Sequence, residues 1–348
     1  MEELLAKLSN AHGISGSEGN IKIMLEEELK PYADELRTDK MGNLIAVKEG
    51  DGPSIMLAAH MDEIGLMVKY IDDKGFLRFV KIGGWFDQTL HSQRVIVHTN
   101  NGPVTGVIGC KPPHVMKEED RKTPVKSDDM FIDVGAKDKE DAEKMGIEVG
   151  TPISPDREVK KLANGKITGK AFDNRAGCAI VIETMRRLSD MDLKAKLYVV
   201  GTVQEEVGLK GAKTSAFGLD PDVALAIDTT VPGDHPGIEK KDSVIDTGKG
   251  PAVTVVDASG RGLIAAPQVI KWLRAAGDKN DIPYQMDVGD GGTTDATAIH
   301  LTREGIPTGT LSVPTRYIHS PVEVLDLADL EHSVNLLVKA VLSVEDYF

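Results

Sequence analysis

The run Ser54-Ile-Met-Leu-Ala-Ala-His60-Met-Asp62-Glu63 decides how this chain is read. Ser54–Ala59 is short, continuous and largely apolar behind Gly52-Pro53, the pattern of a strand buried on both faces. A histidine and two carboxylates then crowd its carboxyl end. In open α/β sheets, chemistry gathers at that end of the strands.

Working outward, three more segments have the same form. Lys196–Val203 leads into Gln204-Glu205-Glu206, and Val223–Ile227 leads into Asp228. The strand Thr308–Val313 precedes Arg316-Tyr-Ile-His319-Ser-Pro321. Helical spacing separates these strands. Ile21, Met24, Leu25 and Leu29 share a face, as do Ala176, Ala179, Ile180 and Leu188 in a helix starting near Asp173. Further helices are predicted over Lys210–Phe217, Asp295–Thr302 and Pro267–Ala276, the last with proline at its start and Gly277 after it. A C-terminal helix begins near Asp326, with Leu327, Leu330, Val334, Leu337 and Val341 on its apolar stripe. Alternating strands and helices predict an α/β fold, a mostly parallel sheet covered on both faces.

Between Gly65 and Pro155 the texture changes. Leu66–Ile71, Phe76–Ile82, Arg94–His98 and Pro103–Ile108 are short β-like runs divided by turn signals such as Asp73-Lys-Gly75 and Asn100-Asn-Gly102. One helix, near Lys139–Met145, stops at Gly146. The chain therefore reads as a discontinuous α/β domain, residues 1–65 and 160–348, carrying an inserted β-rich domain over 66–159.

Composition narrows the functional classes. A hydrophobic fraction of 41% beside 28% charged residues suits a soluble globular protein and excludes a disordered one. The 55 Asp and Glu outnumber the 41 Lys and Arg, and no basic stripe stands out, so no nucleic-acid partner is expected. No apolar run is long enough to span a bilayer, so no membrane association is expected. Cys110 and Cys178 lie far apart in no C-x-x-C pattern, which argues against a disulfide framework or a thiolate metal site. The charged start, Met1-Glu-Glu-Leu-Leu, has no signal-peptide core. A cytoplasmic protein is the expectation.

The residues at the strand ends carry the chemistry. Carboxylates converging on one rim repel each other unless a cation neutralises them. His60 and Asp62, two apart on extended chain, point to one side, so a carboxylate can orient a ligating imidazole. Glu205 and Glu206 are adjacent and face opposite ways, so one can hold metal while the other stays free as a base. Asp173, at a helix start, reads either as a cap or as a bridge between two ions. His319 alone reads as readily as a surface loop residue. The loop Asp287–Asp295 (DVGDGGTTD) lacks the lysine of a P-loop and the spacing of a dinucleotide fingerprint, and reads as a tight loop near the substrate. No G-x-S-x-G elbow supports a serine hydrolase.

Taken together, His60-Met-Asp62-Glu-Ile-Gly65, Ala171-Phe-Asp173-Asn-Arg175, Val203-Gln-Glu205-Glu206-Val-Gly208, Ala226-Ile-Asp228 and Tyr317-Ile-His319-Ser-Pro321 resemble the M42 family of co-catalytic metallo-aminopeptidases. The resemblance implies a three-layer αβα zinc-peptidase-like domain with an inserted dimerisation domain. It also implies two divalent metals, with His60 and Asp228 on one, Glu206 and His319 on the other, and Asp173 bridging. Glu205 becomes the general base and Asp62 the support of His60. Two ions ~3.5–4 Å apart can hold a bridging water and polarise the scissile carbonyl, and imidazole with carboxylate ligation favours Zn²⁺ or Co²⁺. Peptides with a free N-terminus are the implied substrates. Self-association through the inserted domain, into a tetrahedral homododecamer built from dimers, is the implied assembly.

A deacylase-like two-metal amide hydrolase on the same scaffold is the nearest rival, and it requires a clamp for a substrate carboxylate. A glycosidase would leave five apparent ligands unexplained. The walls of the pocket for the first residue are expected from Gly233–Gly250 and Asp287–Thr294. Lys240, Lys241 and Lys249 in the former are either solvated or a sign of preference for an acidic residue.

Overall fold

The computed structural model describes residues 1–348, the Asp120 side chain excepted. At the centre of an eleven-stranded sheet lie four parallel strands, in the order Lys196–Thr202, Ser54–His60, Val223–Thr230 and Thr308–Arg316. Their register sets Thr202 beside His60, Ala226 beside Ala58, and Asp228 beside Ser312. All four carboxyl ends therefore open on one rim.

Both faces of this centre are covered. Ile55, Leu57 and Ala59 pack beneath the helices Glu2–Asn10, Gly19–Leu29, Phe172–Leu188, Pro267–Asp278 and Leu327–Leu342. The alternate residues, Met56 and Ala58, meet Ala212, Ala216 and Ile299 of the helices Lys210–Leu219 and Asp295–Ile299. This period-two division is why the Ser54–Ala59 run carries no polar alternation. The expected three-layer αβα arrangement is what the chain forms.

The sheet is mixed, however, and not mostly parallel as expected. Glu35–Thr38 and Leu44–Lys48 flank one side antiparallel, and Glu323–Asp326, Lys166–Gly169 and Lys160–Lys161 flank the other. Ala252–Val256 joins the Thr308–Arg316 strand antiparallel and carries Gln285–Val288 beside it. Connection length explains the first of these. Five residues separate Thr38 from Leu44, too few for a parallel crossover. The Asp39 carboxylate closes that turn by accepting the N–H groups of Met41, Gly42 and Asn43 at 2.9–3.0 Å.

Gly65–Ile71, Leu77–Ile82, Phe131–Asp133, Gly102–Gly109, Arg94–Thr99 and Pro152–Pro155 form a closed barrel, sealed where Leu66 pairs with Ile153. Val68, Phe79, Val95, Val97, Ile108 and Ile132 fill its interior. Closure leaves no free strand edge in this small unit.

Barrel and sheet meet at a buried ionic knot. Lys170 Nζ donates to both Glu63 oxygens at 2.8 Å and to the Ala11 carbonyl at 2.7 Å. Arg175 donates to the carbonyls of Leu8 and Gly13. Beside them His12 Nδ1 and His98 Nε2 both bond Ser154 Oγ, at 2.7 and 2.8 Å. Burial, aided by the Lys170 charge, lowers His12 to about 4. Among the described residues, no helix is long and apolar enough to cross a membrane.

Candidate active site

Five chain segments supply the site. His60 is the last residue of its strand, and its imidazole is 2% exposed. His60 Nδ1 lies 3.1 Å from the Asp62 carbonyl oxygen, an acceptor only, so Nδ1 donates and Nε2 is turned into the cleft. The Asp62 carboxylate is farther, at 3.6 Å, and serves other donors: Ser15 Oγ at 2.6 Å, the Glu205 N–H at 3.0 Å and the Glu206 N–H at 3.2 Å. Asp62 thereby ties the His60 segment to the Glu205-Glu206 turn.

Asp173 opens the helix Phe172–Leu188 in a non-helical conformation (φ −78°, ψ 100°), and the cap position belongs to Ala171. Its carboxylate does no capping. Oδ1 lies 3.2 Å from His60 Nε2, and Oδ2 lies 3.2 Å from His319 Nε2. Asp228, inside its strand, reaches to 3.8 Å from His60 Nε2, and Glu206 Oε2 to 3.2 Å from His319 Nε2. Two compact triads result: His60, Asp173 and Asp228, and Asp173, Glu206 and His319. The candidate ligand atoms within each lie no more than 4.8 Å apart. Glu205 belongs to neither, its Oε2 standing 3.8 Å from His60 Nε2. The Glu205-Glu206 pair sits in a turn after Thr202, the last residue of its strand, and both side chains line one cleft instead of facing opposite ways.

Left-handed backbone recurs around the triads. Ala171, Gln204, Tyr317 and His319 all have φ between +56° and +62°, left-handed values unfavourable for residues other than glycine. Each is within two residues of a triad member or is one. The barrel loop approaches closely as well: a Cβ on Gly84 would stand 2.8 Å from His319 Nδ1, so only glycine fits.

The electrostatics ask for a cation. Burial opposes charge on His60, yet the carboxylates of Glu205, Asp173, Asp228 and Asp62 raise it well above its ordinary value. Burial also opposes charge on His319, but hydrogen bonds to Asp173 and Glu206 raise it to about 11. Burial drives Glu205 and Asp228 well above the usual carboxylate range, with further upward pushes from neighbouring carboxylates. Glu206 Oε1 is buried and has no hydrogen-bond partner. A buried carboxylate oxygen with no donor is costly. Two triads of nitrogen and oxygen donors sharing one carboxylate fit a pair of divalent ions, which would offset the clustered charge.

Two further residues escaped the sequence reading. Glu323, 2% exposed, accepts the N–H groups of both Asp173 and His319 at 3.0 Å, holding the shared carboxylate and the second histidine in place. Its only local mark is a charge at the head of a four-residue strand, Glu323–Asp326, before the apolar pair Val324-Leu325. Asp295, also buried, accepts from Thr202 Oγ1 at 2.5 Å and is raised to about 6, chiefly by burial. At the start of its helix it looks like an ordinary first-turn acid.

The triads lie in a cleft of about 880 Å³, walled by Gly208-Leu209, Asp228–Val231, Gly237-Ile238, Asp257 and the loop Gly289–Thr294. Lys240 and Lys241 are not on this wall. They are exposed and paired with Asp246 and Glu239, and Lys249 does not line the cleft either, so the lysines give no support to an acidic preference. His235 packs against the Tyr317 ring outside both triads. Cys178 is buried and donates to the His60 carbonyl.

Comparison with known proteins agrees in fold and length. The family model for M42 glutamyl aminopeptidase matches residues 42–336. An aminopeptidase from the archaeon Desulfurococcus kamchatkensis superimposes with a TM-score of 0.93 at 48% identity, covering 98% of this chain and 93% of that one. The lysyl aminopeptidase of Pyrococcus furiosus is 37% identical over 96% of this chain and 94% of its own. The Pyrococcus horikoshii TET1 peptidase, which can assemble into a tetrahedron or a large octahedral shell, superimposes with a TM-score of 0.89 at 36% identity, covering 98% of each chain.

Proposed function

The chain belongs to the M42 glutamyl aminopeptidase family, and on that premise we propose that it is a two-metal aminopeptidase removing the first residue of peptides with a free N-terminus. The observation that carries the reading is the pair of triads sharing Asp173, with one buried Glu206 oxygen left without a donor. His60, Asp173 and Asp228 would hold one ion, and Asp173, Glu206 and His319 the other. Zn²⁺ or Co²⁺ suits these imidazole and carboxylate donors. When bound, such ions polarise the scissile carbonyl and acidify water.

The remaining work falls to the chain's own groups. Glu205 stands beside the triads but outside them, buried in the cleft wall, where it takes a proton from the attacking water and returns it to the leaving amine. Asp62 fixes the turn that carries Glu205, and Glu323 fixes the backbone of Asp173 and His319. Neither lysine nor arginine lines the cleft, so a substrate carboxylate finds no clamp while a free amine meets carboxylates. This favours an aminopeptidase over the deacylase-like alternative.

We assign the barrel as the dimerisation unit of a tetrahedral homododecamer, the tetrahedron that the Pyrococcus horikoshii relative can form supporting the assembly itself. Its unpaired cysteines and acidic surface suit the cytoplasm. Hydrolysis of aminoacyl-p-nitroanilides tests the central reading. Activity should vanish on chelation and return with Zn²⁺ or Co²⁺, and N-acetylated substrates should be left intact. Cleavage of N-acetylated but not free-amine substrates would refute it.

A further inference from the structure

Past Thr202 the chain leaves the sheet, and the next four backbone N–H groups each donate to a side chain from a distant part of the sequence. Val203 N–H donates to Asn43 Oδ1 at 3.1 Å and Gln204 N–H to Glu18 Oε1 at 3.1 Å. The N–H groups of Glu205 and Glu206 donate to Asp62 at 3.0 and 3.2 Å. Asp62 thus holds the far end of this row, and Asn43 and Glu18 hold the near end. Gln204 itself is left-handed, with φ +56°. Such a residue turns successive N–H groups toward one side, the concave arrangement that takes up anions. Here the anions are two of the chain's own carboxylates.

Glu18 stands at the N-cap of the helix Gly19–Leu29, yet its side chain caps nothing there. Its Oε1 instead accepts Gly16 N–H at 2.7 Å and Gln204 N–H, 186 residues away in the chain. Glu18 is 8% exposed, and burial raises its carboxyl above the usual range against the pull of those two N–H groups. The loop that bears it is fixed to the same region. Gly13 N–H donates to Glu63 Oε1 at 3.0 Å, and Ser15 Oγ to Asp62 Oδ2 at 2.6 Å. Asn43 is fully buried, and its Nδ2 donates to Asp39 Oδ2 at 2.7 Å and the Gly211 carbonyl at 3.0 Å. Neither partner can donate, so the amide keeps Oδ1 on Val203. Asp62 alone would leave the turn free to pivot about Glu205, and the grips at Val203 and Gln204 remove that freedom.

We propose that Glu18 is a positioning residue for the reaction: through the Gln204 N–H it fixes the turn that places the Glu205 carboxylate beside the triads. The inference rests on the aminopeptidase reading and adds a residue that acts through Glu205 without touching substrate.

The test sets Glu18→Ala against Glu18→Gln. The Gln amide oxygen can accept the same two N–H groups, whereas Ala strands both. Kinetics are measured at saturating Zn²⁺ or Co²⁺ on the aminoacyl-p-nitroanilide that the parent cleaves best. Glu18→Ala should lower kcat roughly 10–100-fold with KM little changed, and Glu18→Gln should restore most of that loss. Amide hydrogen exchange over residues 203–206 of the metal-loaded protein gives a readout apart from activity. It should quicken roughly 10-fold in Glu18→Ala and stay slow in Glu18→Gln. If Glu18→Ala does not fold by circular dichroism, Glu18→Asp carries the test: it keeps the charge, draws the acceptor back by one methylene, and should show a smaller fall in kcat. A parent-like kcat in Glu18→Ala or Glu18→Asp, an equal loss in Glu18→Gln, or a loss confined to KM would overturn the proposal while leaving the aminopeptidase reading intact. Failure of the parent enzyme to cleave any aminoacyl-p-nitroanilide would overturn both.

Discussion

Replacing Asp62 by Asn probes whether the two halves of the site are held together by one carboxylate. Asp62 is fully buried and accepts three hydrogen bonds, from Ser15 Oγ and the Glu206 N–H on one oxygen and the Glu205 N–H on the other. An amide of the same shape keeps one acceptor and converts the other position into a donor. Ser15 can rotate to accept from it, but a backbone N–H cannot. Whichever way the amide turns, either Glu205 or Glu206 is left with its N–H facing an NH₂ group. One buried orphaned donor costs about 1–3 kcal/mol, which corresponds to a fall in Tm of roughly 2–12 °C at 2–4 °C per kcal/mol. The same turn positions the base, and misplacement on the ångström scale lowers turnover by roughly 100-fold. Calorimetry, kcat and bound metal should be measured together. The expected result is a lower Tm and a lower kcat with metal retained, and a larger loss in Asp62→Ala, which strands all three donors. If Asp62→Asn matches the parent in both Tm and kcat, the carboxylate is not what organises the Glu205-Glu206 turn.

Two further outcomes follow from the geometry. Glu205→Gln should reduce turnover by roughly 10²–10⁴-fold with metal content close to the parent's, since Glu205 stands outside both triads; loss of metal would reverse its roles with Glu206. The His12–Ser154–His98 link should make the junction acid-sensitive. His12 has a folded pKa of about 4, below its ordinary 6.5. Between these values the unfolded chain binds more protons, so stability falls as pH drops across that window. His98 is lowered by burial in the same direction, and Lys170, Arg175 and Glu63 face the pair. His12→Gln, which can still bond Ser154, should lose less stability than the parent on acidification, and an equal loss in denaturation midpoint would contradict this assignment.

What could be read locally was determined by local chemistry. The apolar runs Ser54–Ala59 and Val223–Ile227 mark strands covered on both faces because period-two side chains leave no polar position when both faces are buried. The turn-punctuated runs after Gly65 mark the segment that closes as a barrel. The carboxylates and histidines at the strand ends could be named because parallel strands present one end together. The flanking strands Ala252–Val256 and Gln285–Val288 were not legible, being short segments whose pairing partners lie elsewhere in the chain, and Glu35–Thr38 was not legible because its four mostly exposed residues show no apolar alternation.

Tertiary structure alone decided how one carboxylate serves two histidines. Asp173 gives one oxygen to His60 and the other to His319, at a place where isolated sequence suggests a helix cap. It also decided that Glu323, 150 residues away, holds both Asp173 and His319 by their backbones. The cleft's charge was set in the same way: the three lysines suggested by the sequence stay outside, and the charged and titratable side chains that line it are carboxylates and histidines. The physical reason is common to all three. Periodicity and capping report what a segment does with its nearest neighbours, whereas a shared oxygen or an orphaned one depends on register between strands far apart in the chain, fixed only once the sheet is assembled.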